Sequence, residues 1–570
     1  MDEELNREIK KIALQNATEH DGKTTEKIII SKLLASRADL RSKIKELMQD
    51  VSSIVSQVNQ KSLQEQKTEL DEEFPDALKQ KEKKPEERSP LPPLNDAKHG
   101  SVITRFPPEP NGYPHIGHAK AAIINQEYVI MHGGKRILRM DDTNPENERL
   151  EYYAAIKVGL EWLGIKYDTV KNTSDDIEIL YKKCAELIDL GRAYVCTCKR
   201  EEISRNRREK KSCKCSQADA EEIKKSWDKM FEKYKEGEAI VRFRGDMNSE
   251  NTVMRDPILF RIIDEKHPLL GSKYRVWPSY DFAVSIEDSL DGVTHAFRSK
   301  EYELRNELYY AILDVLNMRK PRVIEFSRLE FKGMPISKRI LKPLIEEGRV
   351  SWYDDPRLPT LEGLKRRGIK PEAIRKFILS LGFTKSDTLA PFDALESFNR
   401  KFVDADSIRL HMVKKPVSLL VNNIPFSSIE ISNHPTKDRG KRRVEISNDL
   451  LIEEDDQARL REGDRIRLIG LGNVTITKTS PKIESEFITD NAKQSDKKIH
   501  WVSKKNLHKI KLLIPHPLFI DDRFNENSLE EVEVYTEPYY LELEEGEEIQ
   551  FVRFGYCRKD SQNQAVFTHK

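Results

Sequence analysis

Cysteine is scarce in this chain. Six in 570 residues are too few for a disulfide scaffold, so buried cores must hold the fold. Four of the six form two close pairs, Cys196 with Cys198 and Cys213 with Cys215, which points to metal; Cys184 and Cys557 read as packing residues. No apolar run approaches the ~18 residues a membrane span needs, so no membrane role is expected. The opening MDEELNREIKK is acidic and polar, without the basic segment and apolar stretch of a secretory signal, and a cytoplasmic location is expected. Net charge is missing too: 98 Lys+Arg against 97 Asp+Glu leave +1. Any nucleic-acid partner must therefore be held by local basic patches rather than a global field.

What is present is length and texture. A 570-residue chain calls for several cores joined by linkers. Over residues 1–63 apolar positions such as Ile29, Leu33, Leu34, Leu40, Ile44 and Leu47 recur at helical spacing, predicting a helical appendage that could contact a protein partner. Residues 64–99 are rich in Glu, Lys and Pro and offer little apolar surface to offset ordering entropy, so they are expected to be a linker. From Ser101 a strand-like VITRF, a Pro/Gly/Asn turn and a helix over His118–Ile130 give the layout of a nucleotide site. KRILRMDD and EYYAAIKVGLEWLGI continue the alternation, predicting a doubly wound parallel sheet with ligands at the strand tips. Beyond about Asp406, short β-rich runs such as VSLLV, RIRLIGLG and NVTITKT predict β-barrels or sandwiches.

The sharpest motif is His115-Ile116-Gly117-His118, after a strand and at a helix start. A helix start offers unpaired backbone N–H groups, glycine permits close approach, and two imidazoles can donate to phosphate oxygens. Downstream, Pro335-Ile336-Ser337-Lys338-Arg339 follows Gly333 in a loop. In that order the two motifs resemble the signature loops of class I aminoacyl-tRNA synthetases. The stretches MDDTNPENE, WPSYDFAVSIEDSLDGVTHAFRSKE and IEFSRLEFKGMPISKR closely resemble the glutamyl/glutaminyl branch. NHP at 433–435 and IHWVS at 499–503 more weakly resemble the β-barrel anticodon-binding half of archaeal and eukaryotic-type glutamyl enzymes. The signature loop departs from the family by Pro335, Ile336 and Arg339, which puts the role of its first lysine in doubt.

The resemblance implies a multidomain protein. Its expected parts are an α/β Rossmann-like catalytic core (100–330), interrupted at about 180–272 by an acceptor-stem domain, then a signature loop and helical subdomain (331–408) and β-barrels (409–570). It also implies ATP-dependent ligation of L-glutamate to tRNA(Glu) through glutamyl-adenylate, releasing AMP and diphosphate, with Mg²⁺ accompanying ATP and tRNA(Gln) left open as a second acceptor. Carried over residue by residue, His115, Gly117, His118, Ser337, Lys338 and Arg339 would bind ATP, with His115, His118 and Lys338 catalytic. Arg105, Asp141, Tyr280 and Arg298 would bind the amino acid. Without the family, Arg105 and Asp141 would be a buried ion pair and Tyr280 a core residue.

Glutamate and glutamine differ by a carboxylate against an amide, so the pocket must discriminate by charge. Arg298 stands where glutaminyl enzymes typically carry Cys, and Val323 where they carry Gln. Both departures favour the acid, unless Arg298 is simply paired with Glu301 or Glu303. Cys196, Cys198, Cys213 and Cys215 could close a tetrahedral Zn²⁺ site or form an unmetallated cluster. Between the pairs, Lys199, Arg200, Arg205, Arg207 and Arg208 could neutralise RNA phosphates or form a solvated helix face. Arg439–Arg443 offer a second basic patch, suited to splayed anticodon bases. The rival readings are a glutaminyl enzyme and a catalytically retired RNA-binding scaffold.

Overall fold

The computed structural model describes residues 3–19, 22–37, 40, 44–74, 91–489 and 497–570. The chain divides into two compact units, residues 1–89 and 90–570.

The first unit comprises helices α1 (Glu3–Glu19), α2 (Glu26–Ser36), α3 (Ile44–Gln60) and α4 (Leu63–Glu73). Their shared core holds Ile9, Ala13, Ile29, Leu33, Val51, Val55 and Leu70. The expected linker therefore begins too early, because residues 64–73 are helical. Ser62 and Glu65 form a capping box, and Gln66 is buried, donating from Nε2 to the carbonyls of Gly22 (2.9 Å) and Val58 (2.7 Å). One buried face with a satisfied amide is enough to order a helix that averages as polar. Residues 91–99 are ordered as well: Leu91 is buried against Ile124, Tyr128, Phe297 and Phe326. The remainder of the expected linker, 75–90, lies outside the described residues.

The second unit starts with three parallel strands, β1 (Ile103–Phe106), β2 (Lys135–Met140) and β3 (Thr169–Asn172). Helices α5 (Ile116–His132), α6 (Leu150–Trp162) and α7 (Ile177–Asp189) each follow one of them. Met140, Ile116, Ile123, Ile156 and Leu160 fill the space between sheet and helices. An antiparallel four-stranded sheet then intervenes, β4 (Ala193–Cys196) to β7 (Val276–Pro278) through β5 (Ile240–Phe243) and β6 (Ile258–Ile262), carrying α8 (Arg200–Arg208) and α9 (Ala220–Glu232). After α10 (Tyr280–Leu290), β8 (His295–Ser299) and β9 (Arg322–Phe326) form a parallel pair with α11 (Asn306–Val315) between them. The β8 pair is fastened beside β1, where Thr294 N–H donates to the Ile103 carbonyl at 2.9 Å.

α12 (Lys338–Glu346) and further helices over Leu361–Arg366, Pro371–Ser380 and Phe392–Val403 lead to the β-rich part. There two seven-stranded sheets with mixed pairings each enclose their own core, one around Trp501, Ile466 and Val474 and the other around Ile549, Phe551 and Leu512. Among the described residues no helix is long and apolar enough to cross a membrane.

Candidate active site

The tips of β1, β2, β8 and β9, the start of α5 and the loop before α12 line one cavity of about 780 Å³. His115 is the N-cap of α5. Its Nδ1 accepts the Gly117 N–H (3.1 Å), while His118 Nδ1 accepts the His115 N–H (3.2 Å), and the two rings lie 4.0 Å apart. A nitrogen that accepts an N–H carries no proton, so each neutral ring must place its single proton on Nε2. Burial keeps both rings neutral, lowering His118 to about 4 and, together with the neighbouring His118, pushing His115 well down. The pair is thus a set of uncharged donors at a helix N-terminus. Gly117 is required for this geometry, since a Cβ there would stand 2.9 Å from His115 Cε1 and 3.1 Å from its Nδ1.

Lys338, the first residue of α12, also reaches the cavity. Its ammonium donates to the Asn111 carbonyl at 2.8 Å and lies 5.5 Å from the Tyr152 ring. Burial and the nearby Lys342 and Arg149 lower its pKa. Ser337 lines the same cavity; Arg339 is exposed and is not among the lining residues, so an ATP contact from it has no support here.

The opposite end of the cavity is built on Arg105, 1% exposed. Its Nε donates to Asp288 at 2.9 Å and its Nη1 to the Phe297 carbonyl at 2.6 Å, while Nη2 is buried without a partner. The dull alternative of an Arg105–Asp141 pair is therefore not what forms. Asp288 takes Arg105 and Arg139 together (2.9 and 2.6 Å), and although burial pushes its carboxyl up, the two guanidiniums hold it below the usual range. Asp141, just past β2, has no side-chain hydrogen bond or ion pair among the described residues. Burial, with Glu109, Asp142 and Glu148 near, outweighs Arg139 and raises its pKa to about 8. An ammonium docked beside it would restore its charge.

Arg298, on β8 and 3% exposed, is enclosed by three tyrosines, with its guanidinium carbon 5.7 Å from the Tyr280 ring and 5.3 Å from those of Tyr302 and Tyr309. Nη1 donates to Asn306 Oδ1 at 3.1 Å; Nε and Nη2 are buried and unpartnered. Those two nitrogens form one edge of the guanidinium fork, the edge that a carboxylate can take bidentately. The local alternative fails because Glu301 pairs with Arg328 (2.7 Å) and Glu303 with Lys385 (3.6 Å). Val323, on β9, packs against the cluster of Val284, Tyr309 and Leu313. The sequence reading missed Tyr302, Tyr309 and Asn306. Tyr302 sits on the turn that follows β8, and Asn306 and Tyr309 on α11, and only their convergence on one guanidinium marks them.

Away from the cavity, the four cysteines of the antiparallel domain converge, every Sγ lying within 4.8 Å of the others. Cys196 and Cys213 are 3.9 Å apart, Cys198 and Cys215 3.8 Å. Tetrahedral Zn–S bonds of ~2.3 Å require sulfur separations of about 3.8 Å, so the donor set fits. Arg200, Arg207 and Arg208 line an adjacent cavity of about 800 Å³ together with Arg255, Cys196 and Cys198; Lys199 and Arg205 are exposed outside it. The second basic patch, in contrast, is partly spent within the fold, while Lys441 and Arg443 are exposed. Arg442 is 2% exposed and ion-paired with Glu537, and Arg439 pairs with Asp406 at 2.8 Å.

The family model for the catalytic domain of class I (E and Q) tRNA synthetases matches residues 101–405, and two models for their anticodon-binding domain match 407–493 and 498–560. The chain is 66% identical over 570 residues to a protein of Nitrosopumilus maritimus named glutamate–tRNA ligase, covering 100% of both chains. A protein of the same name from Cenarchaeum symbiosum is 56% identical over 562 residues, 99% of both. One from Pyrococcus furiosus is 39% identical over 578 residues, 98% of this chain and 99% of the other.

Proposed function

The chain belongs to the class I (E and Q) tRNA synthetases, with a catalytic domain followed by anticodon-binding domains, and we propose that it uses ATP to ligate L-glutamate to tRNA(Glu), releasing AMP and diphosphate. The observation that carries the choice of glutamate is Arg298: a buried cation in no ion pair among the described residues, its Nε and Nη2 without partners, on the wall of the cavity that also holds the two histidines, with the nearby Asp281 carboxylate paired to Arg305. A distal carboxylate would supply the missing counter-charge. A neutral amide would leave the cation uncompensated.

In this reading Asp141 receives the substrate ammonium, and Arg105 Nη2 and Tyr280 complete the amino-acid end. The α-carboxylate oxygen bonds to the α-phosphorus of ATP, and the bond from that phosphorus to the β-phosphate bridging oxygen breaks. Nε2–H of His115 and His118 donates to phosphate oxygens, and Lys338 follows the charge onto the departing diphosphate. Mg²⁺ is assigned to the ATP phosphates as part of the substrate. No covalent enzyme intermediate is needed, since alignment and fixed donors supply the rate gain. We read β1–β3, β8 and β9 as a Rossmann-like core and the antiparallel domain as the acceptor-binding insertion, where Arg200, Arg207, Arg208 and Arg255 would face the RNA.

Purified protein offered glutamate or glutamine with tRNA(Glu) or tRNA(Gln) should charge glutamate onto tRNA(Glu). Preferential transfer of glutamine would overturn the assignment, and absence of transfer would favour a retired scaffold, against which both signature loops speak. Whether tRNA(Gln) also accepts glutamate is read in the same assay.

We assign the four-cysteine cluster to structural Zn²⁺, which would cross-link two segments of the antiparallel domain. Elemental analysis should return about one zinc per chain, and Cys213→Ser should lose it and lower the unfolding temperature. A metal-free wild type with unchanged melting would reduce the cluster to four thiols.

A further inference from the structure

The free edge of Arg298 needs an explanation, because a carboxylate stands close by and does not use it. Glu325 on β9 is the register partner of Arg298 on β8 in a parallel pair, so the two side chains leave neighbouring backbones in the same direction. Yet Arg298 forms no ion pair with it; the side chain between them is Asn306, the first residue of α11. Asn306 Nδ2 donates to Glu325 Oε1, and Asn306 Oδ1 accepts from Arg298 Nη1 at 3.1 Å. Glu325 Oε2 in turn accepts from Lys385, whose side chain is 62% exposed. The order from solvent inward is cation, carboxylate, amide, guanidinium.

We infer that Asn306 is a positioning and specificity-determining residue: a neutral spacer that fixes the plane of Arg298 through Nη1 while withholding Glu325 from it, so that Arg298, with Asp281 already paired to Arg305, stays available to the substrate's distal carboxylate. An amide between two charged groups satisfies both hydrogen bonds without cancelling either charge. Lys385 compensates Glu325 from the solvent side, which lessens its pull on Arg298. An aspartate at position 306 would have almost the same shape and would occupy Arg298 from within. The inference rests on the reading of Arg298 given above and adds the group that keeps it unneutralised.

The test is steady-state charging of tRNA(Glu) with glutamate, and with glutamine at high concentration, by the full-length Asn306→Asp, Glu325→Gln, Lys385→Ala and Arg298→Gln variants. Asn306→Asp should raise the KM for glutamate at least about tenfold and narrow the glutamate-over-glutamine ratio by a similar factor, with kcat at saturating glutamate within about threefold. Glu325→Gln should leave KM within about threefold, because the neutral spacer survives. Lys385→Ala, an exposed site whose variant folds even where Asn306→Asp does not, should raise KM two- to fivefold, and adding Glu325→Gln should reverse this. Wild-type KM and selectivity in Asn306→Asp, or in Lys385→Ala if the first does not fold, would overturn the inference, as would a Glu325→Gln loss equal to that of Asn306→Asp. Arg298→Gln separates the two levels. If it alone raises the KM for glutamate, the spacer idea fails while the reading of Arg298 stands; if it does not, both fail.

Discussion

Arg298→Gln should lower kcat/KM for glutamate by two to three orders of magnitude while leaving tRNA affinity and melting temperature near wild type. The magnitude follows from burial. Removing one partner of a buried ion pair costs about 3–5 kcal/mol, and each ~1.4 kcal/mol is tenfold in an equilibrium or rate ratio. Arg298 is 3% exposed, so little water is present to replace it beside a docked carboxylate. Most of the loss should fall on KM, because the distal carboxylate is bound alike before and during adenylation. Stability should change little or improve, since in the free enzyme two guanidinium nitrogens are buried without partners and a neutral amide is easier to desolvate. Glutamine should be disfavoured less than before, and their ratio is the sensitive readout. Unchanged glutamate KM, with Tyr280 and Tyr302 still in place, would remove Arg298 from the binding scheme.

His118→Ala should reduce kcat for adenylate formation, measured by ATP–pyrophosphate exchange with tRNA present, about 10²–10³-fold, the usual cost of one fixed donor to a charge that grows in the transition state. The KM for glutamate should hardly move, because His118 lies at the phosphate end of the cavity. A secondary cost of roughly 1 kcal/mol of stability is expected, since the His115 N–H loses its acceptor at the helix start. His118→Asn, an uncharged donor of shorter reach, should recover part of the rate. With His118 lowered to about 4 by burial, its protonation should not shape the rate between pH 6 and 8. Exchange at the wild-type rate in His118→Ala would exclude the residue from catalysis.

Legibility along the chain follows a physical divide. The strand–turn–helix at 103–132 was readable because the strand, the turn residues and the first helix turn are contiguous, and so was the convergence of two C-x-C pairs. The basic run at 439–443 was legible only as a set of charges, because whether Arg442 is free or buried depends on Glu537, some ninety-five residues away. The polar stretch after Gln64 misled in the opposite sense, since Gln66 is satisfied by carbonyls that other segments bring to it.

By itself the chain determined which groups were available: two imidazoles around a glycine at a helix start, a lysine expected in a loop, four thiols, and an arginine where a glutaminyl enzyme carries Cys. Periodicity and turn chemistry are local, so they are written in consecutive residues. Only the tertiary structure decided which of those charges are already satisfied. Arg105 gives Nε to Asp288 and Nη1 to the Phe297 carbonyl but keeps Nη2 without a partner, Asp141 is left unpaired among the described residues, and Arg298 is bridged to Glu325 through Asn306. The reason is that compensation of a buried charge is set by groups within a few ångströms, and distant parts of the chain bring them there.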